Sequence, residues 1–374
     1  MIYLDNAATT FLKPDSVHRA VEAAFRTMSS PGRGGYEAAM TAADTVFNCR
    51  CAIAQMYGLE NPERVVFTMN ATHALNLAIK TLVPSKGRVV ISGWEHNAVT
   101  RPLRALDAEI TVAAGMLFKP DSTIDAFRRL ITRDICAVIC THVSNVFGYI
   151  LPVEEIAELC RNAGVPLIID ASQSAGCLPL DLQRLGAAFV AFPGHKGLYG
   201  PQGTGVLLCG QDTVRPLLEG GTGSLSVQQE MPDFLPDRLE AGTHNVPGIA
   251  GLLAGVEYVQ AEGMGRIFDH ERRLTALAAE GLRGMGGVRV YEHSACQSGV
   301  LSFAVQGRGA EEMAALLAER GFALRAGLHC SPLAHSSAGT LKTGTVRLSV
   351  SAFSTELEIF RFLNATEEIL DGIF

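Results

Sequence analysis

Short apolar runs, each closed by a turn rich in glycine or polar residues, recur along the first part of the chain. They lie near residues 65, 88, 135, 165, 187 and 205, and include Val65–Thr68 (VVFT) and Arg88–Ser92 (RVVIS). Between several of them, apolar side chains recur at helical spacing, as at 14–27 and 38–57. This alternation of buried strands and helices is typical of a mostly parallel sheet. It predicts an α/β fold with polar residues gathered at one edge of the sheet.

The pattern changes after a long helical stretch at 248–260. The later part of the chain predicts a helix at 268–282, strands at Val288–Tyr291 and Val300–Val305, and a helix at 310–320. A chain of 374 residues is too long for one small core, so two domains are expected. We predict a large domain at 13–255 and a small α+β domain formed by 1–12 and 256–374.

The composition favours a small-molecule partner over nucleic acid or a membrane. The net charge is −7 and there is no Lys/Arg block of the kind that binds a nucleic-acid backbone. No apolar run approaches the ~18 residues of a membrane span, and the start MIYLDNAATT lacks a targeting pattern. We therefore expect a cytoplasmic protein whose nine cysteines are reduced thiols. The close pairs CRC and CAVIC lack a second pair at zinc-finger spacing, so no metal site is predicted.

A candidate catalytic lysine, Lys196, lies in the glycine-rich stretch VAFPGHKGLYGPQGTG. Glycines let the backbone pass close to a ligand held by this lysine, although a loop lysine after a strand is the ordinary alternative. Asp170 ends the apolar run VPLIID, where open α/β sheets bind ligands, and a carboxylate buried there needs a cation. A pyridinium nitrogen would supply that cation. A Schiff-base lysine with an aspartate on the ring nitrogen is the arrangement that serves pyridoxal 5′-phosphate (PLP).

Other strand ends carry groups suited to such a cofactor. The stretch VVFTMNATHALNLAIK runs from a strand into a helix, so the free N–H groups of Ala71, Thr72 and His73 would form a phosphate cradle. Without a nucleotide-binding motif, this cradle suits a cofactor with one phosphate. His96 could stack on a planar ring or move a proton, or simply cap a helix. Asn145 could donate to an oxygen in the site.

The last part of the chain adds a nucleophile and an anion-binding group. Cys330 lies in RAGLHCSPLAH, beside His329 and near Arg325. A neighbouring cation would stabilise its thiolate, whereas a buried cysteine would only fill space. Arg347, inside the apolar strand GTVRLS, needs an anion, and an amino-acid carboxylate matches its bidentate fork. Arg33, in SSPGRGG, could also reach an anion or lie in a plain surface turn.

Together these motifs resemble the group II cysteine desulfurases, which are fold-type I PLP-dependent transferases of aminotransferase class V. The resemblance spans nearly the whole chain, in the family's order: YLDNAATT, FTMNATHALNLA, WEHNAV, HVSNVFG, IIDASQSAG, GHKGLYGPQGTG, EAGTHNVPGIAG, RAGLHC and GTVRLS. It implies a large PLP-binding domain with a mostly parallel, seven-stranded type of sheet. It also implies a small α+β domain that carries the reactive cysteine loop, and a homodimer.

The resemblance also implies how PLP would be held. Lys196 would carry it as a Schiff base, Asp170 would pair with the pyridine nitrogen, and His96 would stack on the ring and assist proton transfer. The ring hydroxyl would contact Gln173 and Asn145. The phosphate would contact Ala71, Thr72 and His195, and also Thr222 of the neighbouring subunit.

For the reaction, the resemblance implies conversion of L-cysteine to L-alanine. Arg347 would bind the substrate carboxylate, and Asn145 would also contact the substrate. Cys330 would take the substrate sulfur as a persulfide and pass it to an acceptor protein, as in iron–sulfur cluster assembly. Two alternatives remain open: a selenocysteine lyase or another PLP-dependent C–S lyase that does not depend on Cys330, and an aminotransferase. A non-enzymatic partner of a sulfur protein would show no absorbance change with cysteine.

The chain departs from the family at three positions. Pro193 stands where relatives have Ser or Thr bonded to the phosphate, and proline has no side-chain donor, so one phosphate contact should be missing. Gly197 lengthens the lysine motif to HKGLYGP. Tyr36 stands where relatives often have His. These departures indicate a divergent branch.

Overall fold

The computed structural model describes residues 1–32 and 34–372. Arg33, a candidate anion contact, lies outside the described residues. The strands are β1 Ile2–Tyr3, β2 Val65–Thr68, β3 Arg88–Ser92, β4 Glu109–Ala113, β5 Ala137–Thr141, β6 Leu167–Asp170, β7 Phe189–Pro193, β8 Gly205–Cys209, β9 Val288–Tyr291, β10 Val300–Val305, β11 Phe322–Ala323, β12 Arg325–Gly327 and β13 Thr345–Ser349. The α-helices are α1 Asp15–Thr27, α2 Glu37–Met56, α3 Ala71–Leu82, α4 Asn97–Ala105, α5 Pro120–Leu130, α6 Val153–Ala163, α7 Leu182–Leu185, α8 Val246–Glu262, α9 Met264–Gly284, α10 Ala310–Glu319, α11 Pro332–Ala338 and α12 Glu356–Leu370.

The larger sheet has the strand order β2-β8-β7-β6-β5-β3-β4. The strands from β4 to β7 run parallel, and β8 is antiparallel to both of its neighbours. Strands β5, β6 and β7 are buried throughout, and an apolar core lies on each face of the sheet. Burial on both faces explains why these strands are continuous apolar runs. The predicted mostly parallel, seven-stranded sheet is confirmed.

A second, antiparallel sheet has the order β12-β13-β10-β9 and its own apolar core. The start of the chain reaches this part of the fold, because β1 pairs with β11. Residue 255, the predicted end of the large domain, lies inside α8, which packs against α1 and α2. Among the described helices, none is long and apolar enough to cross a membrane.

The topology brings several loops to one edge of the larger sheet. Because parallel strands end on the same side, the segments that follow β3, β5, β6 and β7 meet there. The segments after β3, β5 and β7 carry His96, Asn145 and Lys196, and Asp170 is the last residue of β6. The connection from β12 to α11, which carries Cys330, packs on the same edge, since the Asn97 N–H donates to the Cys330 carbonyl at 2.8 Å.

Candidate active site

A cavity of about 210 Å³ lies at this edge of the sheet. Pro193 lines it, and so do nine predicted site residues: Ala71, Thr72, His96, Asn145, Asp170, Gln173, His195, Lys196 and Arg347. Cys330 itself is not among the lining residues. Arg325 and His329 of the cysteine loop also line it. Thr222 lies elsewhere in the same chain, in a groove beside Phe47. The fold therefore brings together residues that are far apart in the sequence.

Lys196 is partly buried, and its surroundings lower the pKa of its amine. Burial lowers its pKa from 10.5 to about 8, although the nearby Asp170 carboxylate opposes that shift. The next residue must be small, because a Cβ on Gly197 would lie 2.4 Å from the Ala175 carbonyl oxygen. The extra glycine in HKGLYGP thus lets the lysine loop pack tightly on the loop after Asp170.

Asp170 is a buried carboxylate at the end of β6. Its Oδ1 accepts a hydrogen bond from the Ser172 N–H at 2.9 Å. Burial lowers the pKa of both His96 and Lys196, and the negative charge of Asp170 partly opposes this lowering. A buried anion in this position can bind a cationic ring nitrogen.

The phosphate cradle at the start of α3 is smaller than predicted. Asn70 caps the helix, and its side chain accepts the His73 N–H at 2.9 Å. The prediction that the His73 N–H is free is therefore wrong. Ala71 and Thr72 line the cavity at the positive end of the helix. His195 lies nearby, with Nδ1 3.0 Å from the Thr9 hydroxyl, and burial lowers its pKa to about 4.

His96 both caps a helix and lines the cavity. Its Nδ1 accepts the Ala98 N–H at 3.0 Å at the start of α4. Burial lowers its pKa to about 4, so the ring is neutral near pH 7. The helix-cap alternative is therefore correct, and it orients a neutral imidazole at the cavity wall.

Arg347 is only 1% exposed, and one of its nitrogens lacks a partner. Nη2 donates to Asp5 Oδ1 at 2.6 Å, and Nη1 donates to the Asn145 carbonyl at 3.0 Å. Nε is buried without a hydrogen bond. Arg347 lines the cavity, so its positive charge would attract a carboxylate bound there.

Cys330 is exposed and has a cation beside it. Arg325 Nη2 lies 3.7 Å from its sulfur. The adjacent His329 is not that cation, since burial lowers its pKa to about 2 and its Nε2 bonds to the Thr345 carbonyl at 3.1 Å. Both His329 and Cys330 adopt the left-handed backbone region, with φ of 50° and 58°. Consecutive strained residues of this kind persist where neighbouring contacts hold them.

Sequence reasoning missed three residues of this site. Asp5 pairs with Arg347. It directly follows the short apolar run IYL, much as Asp170 ends VPLIID, so the same sequence pattern could have indicated it. Glu95 lies behind His96; it is fully buried, accepts from Ser92 and Thr141, and burial raises its pKa to about 8. Ser331 binds Asn145, a contact across the fold that no local pattern indicates.

Comparison with known sequences agrees with this geometry. The aminotransferase class-V family profile matches residues 2–362. A probable cysteine desulfurase of Methanothermobacter thermautotrophicus is 33% identical over 387 residues, covering 98% of this chain and 94% of that protein. Another, from Aeropyrum pernix, is 32% identical over 401 residues, covering 99% of this chain and 94% of that protein.

Solved structures agree as well. The apo structure of a cysteine desulfurase from Thermococcus onnurineus matches with a TM-score of 0.89 and 30% identity, covering 99% of this chain and 95% of that chain. A cysteine desulfurase from Escherichia coli matches with a TM-score of 0.88 and 29% identity, covering 100% and 95%. The architecture is thus that of the fold-type I PLP enzymes, as predicted. The chain belongs to the aminotransferase class V family and, within it, to the cysteine desulfurases.

Proposed function

We propose that the protein is a PLP-dependent cysteine desulfurase that converts L-cysteine to L-alanine and takes the sulfur onto Cys330. The proposal rests on the way three functional groups are arranged around one cavity. A lysine with a lowered pKa and a buried arginine line the same cavity, and the exposed Cys330 lies beside Arg325, which also lines it. These are the groups that a desulfurase needs for covalent attachment, carboxylate binding and sulfur transfer.

The cavity residues fit PLP. Lys196 would hold the cofactor covalently, and Asp170 would pair with its ring nitrogen. The phosphate would lie at the start of α3, near Ala71, Thr72 and His195, with no side-chain donor from Pro193. The ring would contact His96, Gln173 and Asn145. When bound, PLP supplies an electron sink that stabilises negative charge at the substrate α-carbon.

The chain's own residues would bind the substrate and move its protons. Arg347 would bind the carboxylate through its guanidinium group, which Asp5 holds in place. Because its pKa is about 8, Lys196 would be able to take a proton from the α-carbon near neutral pH. His96 would remain neutral at the cavity wall.

The sulfur step uses the Cys330 thiol. Its sulfur attacks the substrate sulfur; an S–S bond forms, the C–S bond breaks, and the carbon takes the electron pair and a proton. L-Cysteine and the Cys330 thiol thus become L-alanine and a Cys330 persulfide. Arg325 places positive charge beside the attacking sulfur. A thiol reductant would then release sulfide and become oxidised to a disulfide.

The test is a product assay on the PLP-loaded protein with L-cysteine and a thiol reductant. We expect alanine and sulfide in equal amounts, because each turnover breaks one C–S bond. Pyruvate and ammonia in place of alanine would instead identify an eliminating lyase. A strong preference for L-selenocysteine would favour the selenocysteine lyase alternative.

We also propose that the persulfide sulfur passes to an acceptor protein in the cytoplasm, in support of iron–sulfur cluster assembly. The exposure of Cys330 supports such a transfer, since an acceptor thiol can approach it. We further propose that the chain divides into the two predicted domains, with the cysteine loop carried by the smaller one. The separate apolar core of the second sheet supports this division.

Two copies of the chain are proposed to pair through a face that carries exposed apolar side chains. Phe47, Met69 and Leu218 are each more than half exposed. They line two grooves that share His244, and Thr222 lies in the groove with Phe47. Pairing through this face would cover apolar surface and bring Thr222 towards the partner, as the phosphate prediction requires.

We expect sedimentation to give twice the mass of the chain, and Phe47→Glu to shift the population to monomer by burying a charge in the interface. Phe360→Glu, on α12, is the matched control, since that side chain is also about half exposed and lies in a different part of the chain. A Phe47→Glu protein that stays dimeric would contradict the proposed face.

A further inference from the structure

Ser331, which follows the reactive cysteine, has its side chain fully buried and bound to Asn145. Its hydroxyl donates to Asn145 Oδ1 at 2.7 Å. The Nδ2 of the same amide donates to the His329 carbonyl at 2.8 Å. One side-chain amide therefore holds the residues on both sides of Cys330.

The backbone of Cys330 itself has a third attachment. Its carbonyl accepts the Asn97 N–H at the start of α4 at 2.8 Å. His329 and Cys330 both have positive φ, a conformation that disfavours residues with a side chain. The contacts of Ser331, Asn145 and Asn97 thus keep the loop in a shape that it would not adopt alone.

Asn145 also connects this loop to the cavity. Its backbone carbonyl accepts a hydrogen bond from Arg347 Nη1. Its side-chain Nδ2 donates one hydrogen to the His329 carbonyl and has a second hydrogen available for another acceptor. The carboxylate-binding arginine and the cysteine loop are therefore joined through a single residue. Ser331 fixes the orientation of that residue from the loop side.

We propose that Ser331 is a positioning residue for sulfur transfer: through Asn145 it holds Cys330 at the edge of the cavity, where its thiol can reach the substrate sulfur. The proposal rests on the function proposed above. Reacting atoms must approach to about 3–3.5 Å, and a displacement of about 1 Å can cost on the order of 10²-fold in rate. Removing the hydroxyl would leave Asn145 Oδ1 without its donor and free the loop.

The first measurement follows the loop without relying on turnover. Amide hydrogen exchange of the 325–335 segment is measured for the wild type, Ser331→Ala and Ser336→Ala, with and without PLP. We expect Ser331→Ala to speed exchange in this segment by about tenfold, because local opening loses a hydrogen bond. Ser336 is exposed on α11, the helix that follows Ser331, so its alanine variant serves as the matched control. The α12 segment reports on global stability.

The second measurement is steady-state kinetics with L-cysteine. We expect Ser331→Ala to lower kcat by about tenfold and to leave KM within about twofold, because Arg347 is held by Asp5 and by the backbone carbonyl of Asn145, and neither contact involves the Ser331 hydroxyl. Ser331→Thr keeps the hydroxyl and should recover most of both losses.

The proposal would be overturned if Ser331→Ala showed the same amide exchange and the same turnover as the wild type. It would also be overturned if Ser331→Thr behaved like Ser331→Ala, or if amide exchange in Ser331→Ala rose as much in α12 as in the 325–335 segment. If the wild type forms no alanine, the proposed function fails, while the exchange comparison still reports whether Ser331 holds the loop.

Discussion

Replacing Lys196 with alanine is expected to remove the visible absorption of bound PLP and to stop cysteine turnover. The amine is the covalent attachment point for the cofactor, and it is also the base that would take the α-proton. Loss of a positioned proton-transfer group alone costs about 10²–10⁴-fold in rate, and loss of the attachment adds to this. The measurement is an absorption spectrum of the purified variant after incubation with PLP, followed by the alanine assay.

The control for this variant is a second lysine with a similar pKa. Burial lowers the pKa of Lys13 to about 8, as it does for Lys196, but Lys13 Nζ donates to the Thr10 carbonyl at 3.1 Å and does not line the cavity. Lys13→Ala should therefore keep the band. A band that survives Lys196→Ala, or is lost in Lys13→Ala, would contradict the assignment.

The same lowered pKa has a consequence for pH. A lysine whose pKa falls from 10.5 to about 8 loses its proton at lower pH, so more of the amine is nucleophilic near neutrality. Uptake of PLP by the cofactor-free protein should rise with pH and level off above about 8. This dependence should disappear with Lys196→Ala and persist in Lys13→Ala.

The parallel strands could be predicted because their sequence signal and their burial have one cause. β5, β6 and β7 are apolar along their whole length, since both faces of the sheet are covered. The edge strand β4 went unpredicted. Its sequence EITVA begins with a charged residue and includes a threonine, so it lacks a continuous apolar run. In the structure most of its residues are only half-buried.

The residues of the candidate site also fall into those that local sequence could predict and those that it could not. Lys196 and Asp170 follow apolar strands, and local sequence is enough to place them at the ligand-binding edge. Asp5 with Arg347 and Ser331 with Asn145 are pairs formed by folding, separated by 342 and 186 residues. No periodicity could indicate them. The His73 error had a local remedy, since Asn70 three residues earlier is a typical helix cap.

Replacing Cys330 with alanine is expected to leave PLP binding intact and to abolish release of alanine from L-cysteine. Cys330 lies beside Arg325, which lines the cavity, while the proposed cofactor contacts come from the strand ends of the larger sheet. The variant should therefore keep the visible band and its change on adding cysteine. Turnover should fall by at least about 10²-fold, because Cys330 is the only cysteine classed as exposed among the described residues.

Cys51→Ala is the matched control for this variant, since Cys51 is a partly exposed thiol on α2. It should turn over cysteine like the wild type. Mass spectrometry after a single turnover without reductant should find one added sulfur on Cys330 in both the wild type and Cys51→Ala. Alanine release at the wild-type rate from Cys330→Ala would mean that the sulfur leaves without a protein thiol. The chain would then be a C–S lyase on this fold, and the loop held by Ser331 would serve another purpose.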